Sequence, residues 1–158
     1  MFREIVRKKQ VLSREESIAI IQNARRGVLS VLGDDGYPYG LPINHWYNEE
    51  DGKIYFHSGK TGHKIDAMRK EPKVSFTVTD GGERRDGEWW LTFRSVVVFG
   101  RVEFVEDHGK ALEISRKLSL GFTSDESYIE KEIRESGPGV LCFALTPEHI
   151  TGKRVSER

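Results

Sequence analysis

Apolar positions along the chain recur with two spacings. Ile18, Ile20, Ile21 and Ala24 line one face of a helix, and Ser13 with Glu16 three residues later is a capping-box signal for its start, so a helix is predicted to about Arg25. Shorter runs then follow the period of a strand: 27–33 (GVLSVLG), 39–47 (YGLPINHWY), 53–58 (KIYFHS) and 73–79 (KVSFTVT). DDG at 34–36 and NEEDG at 48–52 are turns between them. Pro42 cannot donate to a ladder, so the second strand has to lie at an edge or carry a bulge. A helix is predicted from about Thr61 to Lys70, and the polar stretch 80–88 is a long hairpin loop. The run 89–106 is long enough for two strands, or for one strand bent at Gly100. Helices over roughly 108–119 and 125–135 precede a last strand at 139–151.

Strands joined by hairpins, with few crossover helices, predict a mainly β fold: an antiparallel sheet closed into a barrel with peripheral helices. No repeat or linker divides the 158 residues, which suit a single domain over 1–158. Phe93, Val97 and Phe99 alternate with Arg94, Val96 and Val98, so both faces of that strand are largely apolar, as between a barrel interior and a subunit interface.

Lys plus Arg and Asp plus Glu both total 25, which removes any whole-chain attraction for nucleic acid or an acidic membrane. Any anion site must be local. The one cysteine, Cys142, sits in an apolar run and reads as a core residue, so neither a disulfide framework nor a thiolate metal cluster can form. No segment has the length of apolar sequence that a membrane span needs, and the charged start MFREIVRKKQ lacks the core of a signal peptide; the expected location is cytoplasmic.

Between the third strand and the next helix stands Ser58, Gly59, Lys60, Thr61, Gly62, His63, Lys64, a tract dense in groups that hold anions. With the helix starting at Thr61, that hydroxyl would be the N-cap and the free amides of the first turn would face the strand end, where negative charge is favoured. Lys64 adds a full positive charge where the dipole alone disfavours one, with Lys60 and His63 beside it. The competing reading is a set of solvated charges at a helix start. GKT at 59–61 resembles the end of a nucleotide phosphate loop, but the Gly required five residues earlier is Ile54. His45, His57 and His63 lack zinc-site spacing, and no G-x-S-x-G elbow occurs. Tyr37 and Tyr39 read as packing residues and His45 as a surface or core histidine; of Trp89 and Trp90 one reads as core and the other as facing a partner or cleft, with substrate stacking as the alternative.

The stretch 39–76, YGLPINHWYNEEDGKIYFHSGKTGHKIDAMRKEPKVSF, followed by FRSVVVFGRVEFVE and the ending EHITGKRV, resembles the FMN-binding split barrels related to pyridoxamine phosphate oxidase. Within them it is most similar to the nitroimidazole-resistance proteins, which are flavin-dependent nitroreductases, and the likeness covers about residues 10–153. The resemblance implies a six-stranded antiparallel split barrel, a homodimer with FMN at the subunit interface, and NADH or NADPH as electron donor to a small nitroaromatic-type acceptor. Carried over by position, Pro42, Ile43 and Asn44 lie along the flavin ring, and His57 and Ser58 lie near the ring and ribityl chain. Lys60, Thr61, His63 and Lys64 hold the phosphate, His63 and Lys64 replacing an Arg-Lys pair of the oxidases, and Arg94 and Ser95 contribute from the later strand of the same or the partner subunit. His57 is the candidate proton donor. The Arg-rich substrate signature that closes the oxidases is absent, which argues against vitamin B6 oxidation. A non-catalytic or haem-binding barrel is the alternative, and a deazaflavin could stand in for FMN.

Overall fold

In a computed structural model, which describes residues 1–158, seven strands form one antiparallel sheet in the order β2-β1-β5-β6-β7-β4-β3. They are β1 (Arg26–Leu32), β2 (Pro38–Asn44), β3 (Trp46–Asn48), β4 (Lys53–Gly59), β5 (Lys73–Thr79), β6 (Thr92–Val105) and β7 (Val140–Ser156). Four helices pack around them: α1 (Arg14–Asn23), α2 (His63–Lys70), α3 (His108–Leu120) and α4 (Glu126–Ser136). The count of seven corrects the six strands implied by the resemblance. The stretch expected as one strand over 39–47 breaks at His45 into β2 and β3, because the His45 ring turns inward and bonds the Ile21 carbonyl through Nε2 at 2.7 Å.

Local signals account for several elements directly. The Ser13 hydroxyl accepts from the Glu16 amide at 3.1 Å, and the Glu16 carboxylate accepts from the Ser13 amide at 3.0 Å, closing the capping box. Pro42 sits on β2, which pairs only with β1, so its missing N–H falls on the free edge. The long run resolves as one strand, β6, with an irregularity in register between Phe99 and Gly100. A Cβ on Gly100 would run into the carbonyl of Thr146 on β7, so the close approach of β6 and β7 at the bend requires glycine.

The curled sheet encloses a core of sixteen buried residues. At its centre Phe56 stacks on Phe143 at 5.0 Å and meets Phe76 edge-on at 5.1 Å. Burial of each such ring contributes about 1.5–3 kcal/mol. Ile21 of α1 and Ile65, Ala67 and Met68 of α2 enter the same core. A second cluster lies outside the sheet, where Ala111, Ile114 and Leu118 of α3 cover Tyr55, Cys142 and Ala144. No helix is long and apolar enough to cross a membrane.

Candidate functional site

Strand alternation decides which side chains of β2 and β4 can act together. Tyr39, Leu41 and Ile43 pack against the barrel core, so Pro42 and Asn44 point outward. On β4, Phe56 points inward and His57 outward, level with Cys142 across the ladder; Ser58 returns to the inner face, where its Oγ is buried without a partner. His57 and Ser58 therefore leave the strand on opposite sides. Continuing the β3–β4 register, in which Trp46 faces Tyr55, sets Asn44 level with His57, yet β2 and β4 form no ladder. The barrel is split along this seam. Asn44 and His57 both line an open cavity of about 170 Å³ there, bordered by Leu118, Phe122, Ile129 and Glu132 from α3 and α4 and the turn between them. Desolvation by these neighbours lowers the His57 pKa below the ordinary 6.5, so the imidazole is neutral at pH 7.

Beyond Gly59 the chain turns into α2. The helix begins at His63 with Gly62 as its N-cap, correcting the expectation that Thr61 caps it. The reason is conformational: Gly62 adopts φ 132°, a region closed to side-chain-bearing residues, and the Thr61 hydroxyl bonds no helix amide. The Asp66 amide donates to the Gly62 carbonyl at 3.1 Å, whereas the amides of His63, Lys64 and Ile65 find no acceptor in the chain. Lys60 and Lys64 form no ion pair. Gly59 and Gly62 have nothing within 4 Å of where a Cβ would stand, so the backbone is open to a close-fitting group. His63 is engaged differently from the lysines. Its ring stacks on Tyr39 at 4.3 Å and its Nε2 lies 3.8 Å from Asp34 Oδ2, which ties the start of α2 to the β1–β2 turn.

Arg94 and Ser95 are not brought to this loop. Arg94 binds Asp80 through its amide at 2.8 Å and its guanidinium at 3.1 Å, with Glu83 at 3.7 Å. Desolvation works against the ionised Asp80, but the bonds from the Arg94 amide and guanidinium and from the Gly82 amide outweigh it and hold the carboxyl below the usual range. Ser95 points from the outer face of β6, opposite Thr79 and Lys153. His45, read from sequence as a surface or core histidine, is 7% exposed in the core and donates from Nε2 to Ile21; its Nδ1 has no partner. No group of three or more His, Cys, Asp or Glu stands ready for a metal.

Residues 13–154 match the pyridoxamine 5'-phosphate oxidase family. The chain belongs to that family. Among relatives, an uncharacterized protein of Rhizobium meliloti, RA0666, is 35% identical over 94 residues, a match that takes in 60% of this chain and 56% of the relative. A candidate 5-nitroimidazole antibiotic resistance protein from Bacteroides thetaiotaomicron has a similar structure, with a TM-score of 0.76 and 25% identity over 92% of this chain and 87% of that one. A FAD-binding protein from Mesorhizobium loti gives a TM-score of 0.70 and 26% identity, over 92% of this chain and 97% of its own. Family membership agrees with the mainly β barrel expected from the sequence. The α3–α4 residues around His57 went unnoticed, since nothing local marks Phe122 or Glu132 as neighbours of β4.

Proposed function

We propose that the protein is an FMN-dependent oxidoreductase that takes electrons from a reduced nicotinamide and delivers them to small nitroaromatic-type acceptors. The observation that carries this reading is the loop after β4: three free amides at the start of α2 and, within the same short stretch of chain, two lysines without counterions. A phosphate ester with close to two negative charges matches that set, since charge-assisted bonds to lysine and helix amides are among the strongest available. The donor set fits the group. Lys60, Lys64, Thr61 and the amides of 63–65 would hold the phosphate, with His63 steadied against Tyr39. Pro42, Ile43 and Asn44 would border the ring through backbone and amide, and Ser58 offers a buried hydroxyl in need of a partner.

When bound, FMN supplies hydride acceptance and donation. The chain supplies position, a partly dry cavity and hydrogen bonds. Asn44 and His57 meet in the cavity, so an acceptor lodged there would find an amide to orient it and an imidazole to pass a proton at Nδ1 or Nε2. Arg94, already committed to Asp80 and Glu83, serves the cofactor only if those bonds are exchanged. The FAD-binding relative from Mesorhizobium and the candidate resistance protein from Bacteroides support a flavin and a nitro acceptor respectively.

The test is the co-purifying chromophore. The two-banded absorption of a flavin, a mass identifying FMN, and anaerobic bleaching by NADH or NADPH are expected, followed by reoxidation on adding a nitroimidazole. A Soret band would establish the haem alternative in its place, and a flavin that neither nicotinamide reduces would end the proposal for the electron donor.

A further inference from the structure

A second cleft, of about 350 Å³, opens where the ends of β6 and β7 run past the short turn at Lys8–Gln10 that precedes α1. The inner positions of β6 change there from Val98 and Val96 to Arg94 and Thr92, and on β7 the opposite positions are Arg154 and Ser156. Trp90, Arg158, Lys9 and the hairpin-loop residues Glu83, Arg85 and Glu88 also line it. Its lining thus holds four cations, Lys9, Arg85, Arg154 and Arg158, against two carboxylates. None of the four makes an ion pair, whereas Glu83 is answered by Arg94 at 3.7 Å. Arg154 stands directly across the ladder from Arg94, whose charge Asp80 and Glu83 already answer, so of the two guanidiniums only that of Arg154 is left without a carboxylate. The Arg158 guanidinium lies over the Trp90 ring at 5.3 Å, which fixes one face of its donor fork and leaves the N–H edge free. In a chain whose charges balance, this is a concentrated local excess of positive charge.

We propose that this cleft is a second binding site, for a small ligand bearing a diphosphate group, with Arg85, Arg154, Arg158 and Lys9 gripping the phosphates. Guanidinium forks match phosphate oxygens in pairs, and the cleft has the volume of small-molecule sites. It is separate from the loop after β4: Gly59 pairs with Val140 at one end of β7, and Arg154 and Ser156 lie at the other. Two sources share the chemistry, a nucleoside diphosphate moiety and inorganic pyrophosphate. The proposal does not depend on the flavin assignment.

Calorimetric titration of the full-length protein with ADP and with pyrophosphate at low salt reads the site, together with tryptophan fluorescence, since Trp90 lines it. One saturable site is expected, weakened by added salt. Arg154→Gln and Arg158→Gln should each weaken binding about tenfold, and Glu88→Gln, which removes the carboxylate left without a cation, should strengthen it. Tighter binding of ADP than of pyrophosphate would assign the site to nucleotides, and equal binding would assign it to the diphosphate group alone. Absence of saturable binding by both probes overturns the proposal. So does affinity unmoved by Arg158→Gln and Glu88→Gln in proteins that keep the parent's thermal midpoint.

Discussion

Lys64 is the residue on which the phosphate cradle can be judged most directly. Its ammonium has no carboxylate partner, and it projects from the first turn of α2 beside three free amides. Replacing Lys64 by Ala should weaken FMN binding by about 1.5–3 kcal/mol, the range for hydrogen bonds to charged groups. Equilibrium dialysis measures this, and an unchanged dissociation constant would take Lys64 out of the site. His57→Ala should lower turnover more than flavin content. Because desolvation lowers the His57 pKa below 6.5, the imidazolium that could give up a proton is populated only on the acid side of that value. Any limb of the pH–rate profile owed to His57 should therefore fall as pH rises through a value under 6.5; a limb above it would belong to another group.

His45 makes the opposite kind of prediction, about stability. Burial lowers its pKa despite the hydrogen bond to Ile21, which pulls the other way. In the unfolded chain the ring takes up a proton below about 6.5, while in the folded protein it resists protonation to lower pH. The unfolded state then binds more protons, and stability should decline as pH falls below that value. Thermal midpoints measured from neutral pH to about pH 5 should drop less in His45→Gln than in the parent, if the parent's loss comes from this ring.

Among the elements, β6 carries the clearest constraint. Alanine at Gly100 would press on the Thr146 carbonyl just where the register of β6 and β7 shifts, and overpacking of this kind costs about 1–3 kcal/mol. A Gly100→Ala protein should unfold at lower denaturant concentration with an unchanged slope. That bend was legible in the sequence because a lone glycine inside an apolar strand marks a kink or a close backbone approach. The Ser13 and Glu16 cap was legible because both partners lie within one turn. The break of the second strand was not. It depends on His45 reaching a carbonyl twenty-four residues earlier, and no local preference announces that. The proposed phosphate loop stood out since its donors are consecutive, although Gly62 took the capping position that a hydroxyl-bearing Thr61 would ordinarily claim. The wall that α3 and α4 build over His57 comes from helices that follow it by fifty residues or more, and only packing reveals it.

For the whole molecule, the uneven cover of the sheet matters most. Where α3 shields β4 and β7, the outer side is buried; outer side chains of β1 and of the middle of β6 stay open, Val28 and Phe99 being 43% and 39% exposed. Phe2 stacks on Phe99 and on His149 along this surface. A second copy of the chain is the partner proposed for it, with FMN held near the junction. Sedimentation should report a dimer, and Val28→Lys should shift it toward monomer with poorer retention of FMN. A dimer indifferent to that change would place the contact elsewhere.

The unladdered seam between β2 and β4 has a mechanical consequence. Every other neighbouring pair in the sheet is zipped by amide bonds, so the shell can breathe along one line without sacrificing any of them. A planar guest could enter edgewise there while β6 and β7, stitched over fourteen positions, stay rigid, and deuterium uptake should be quick at the free rim of β2 and slow in that pair.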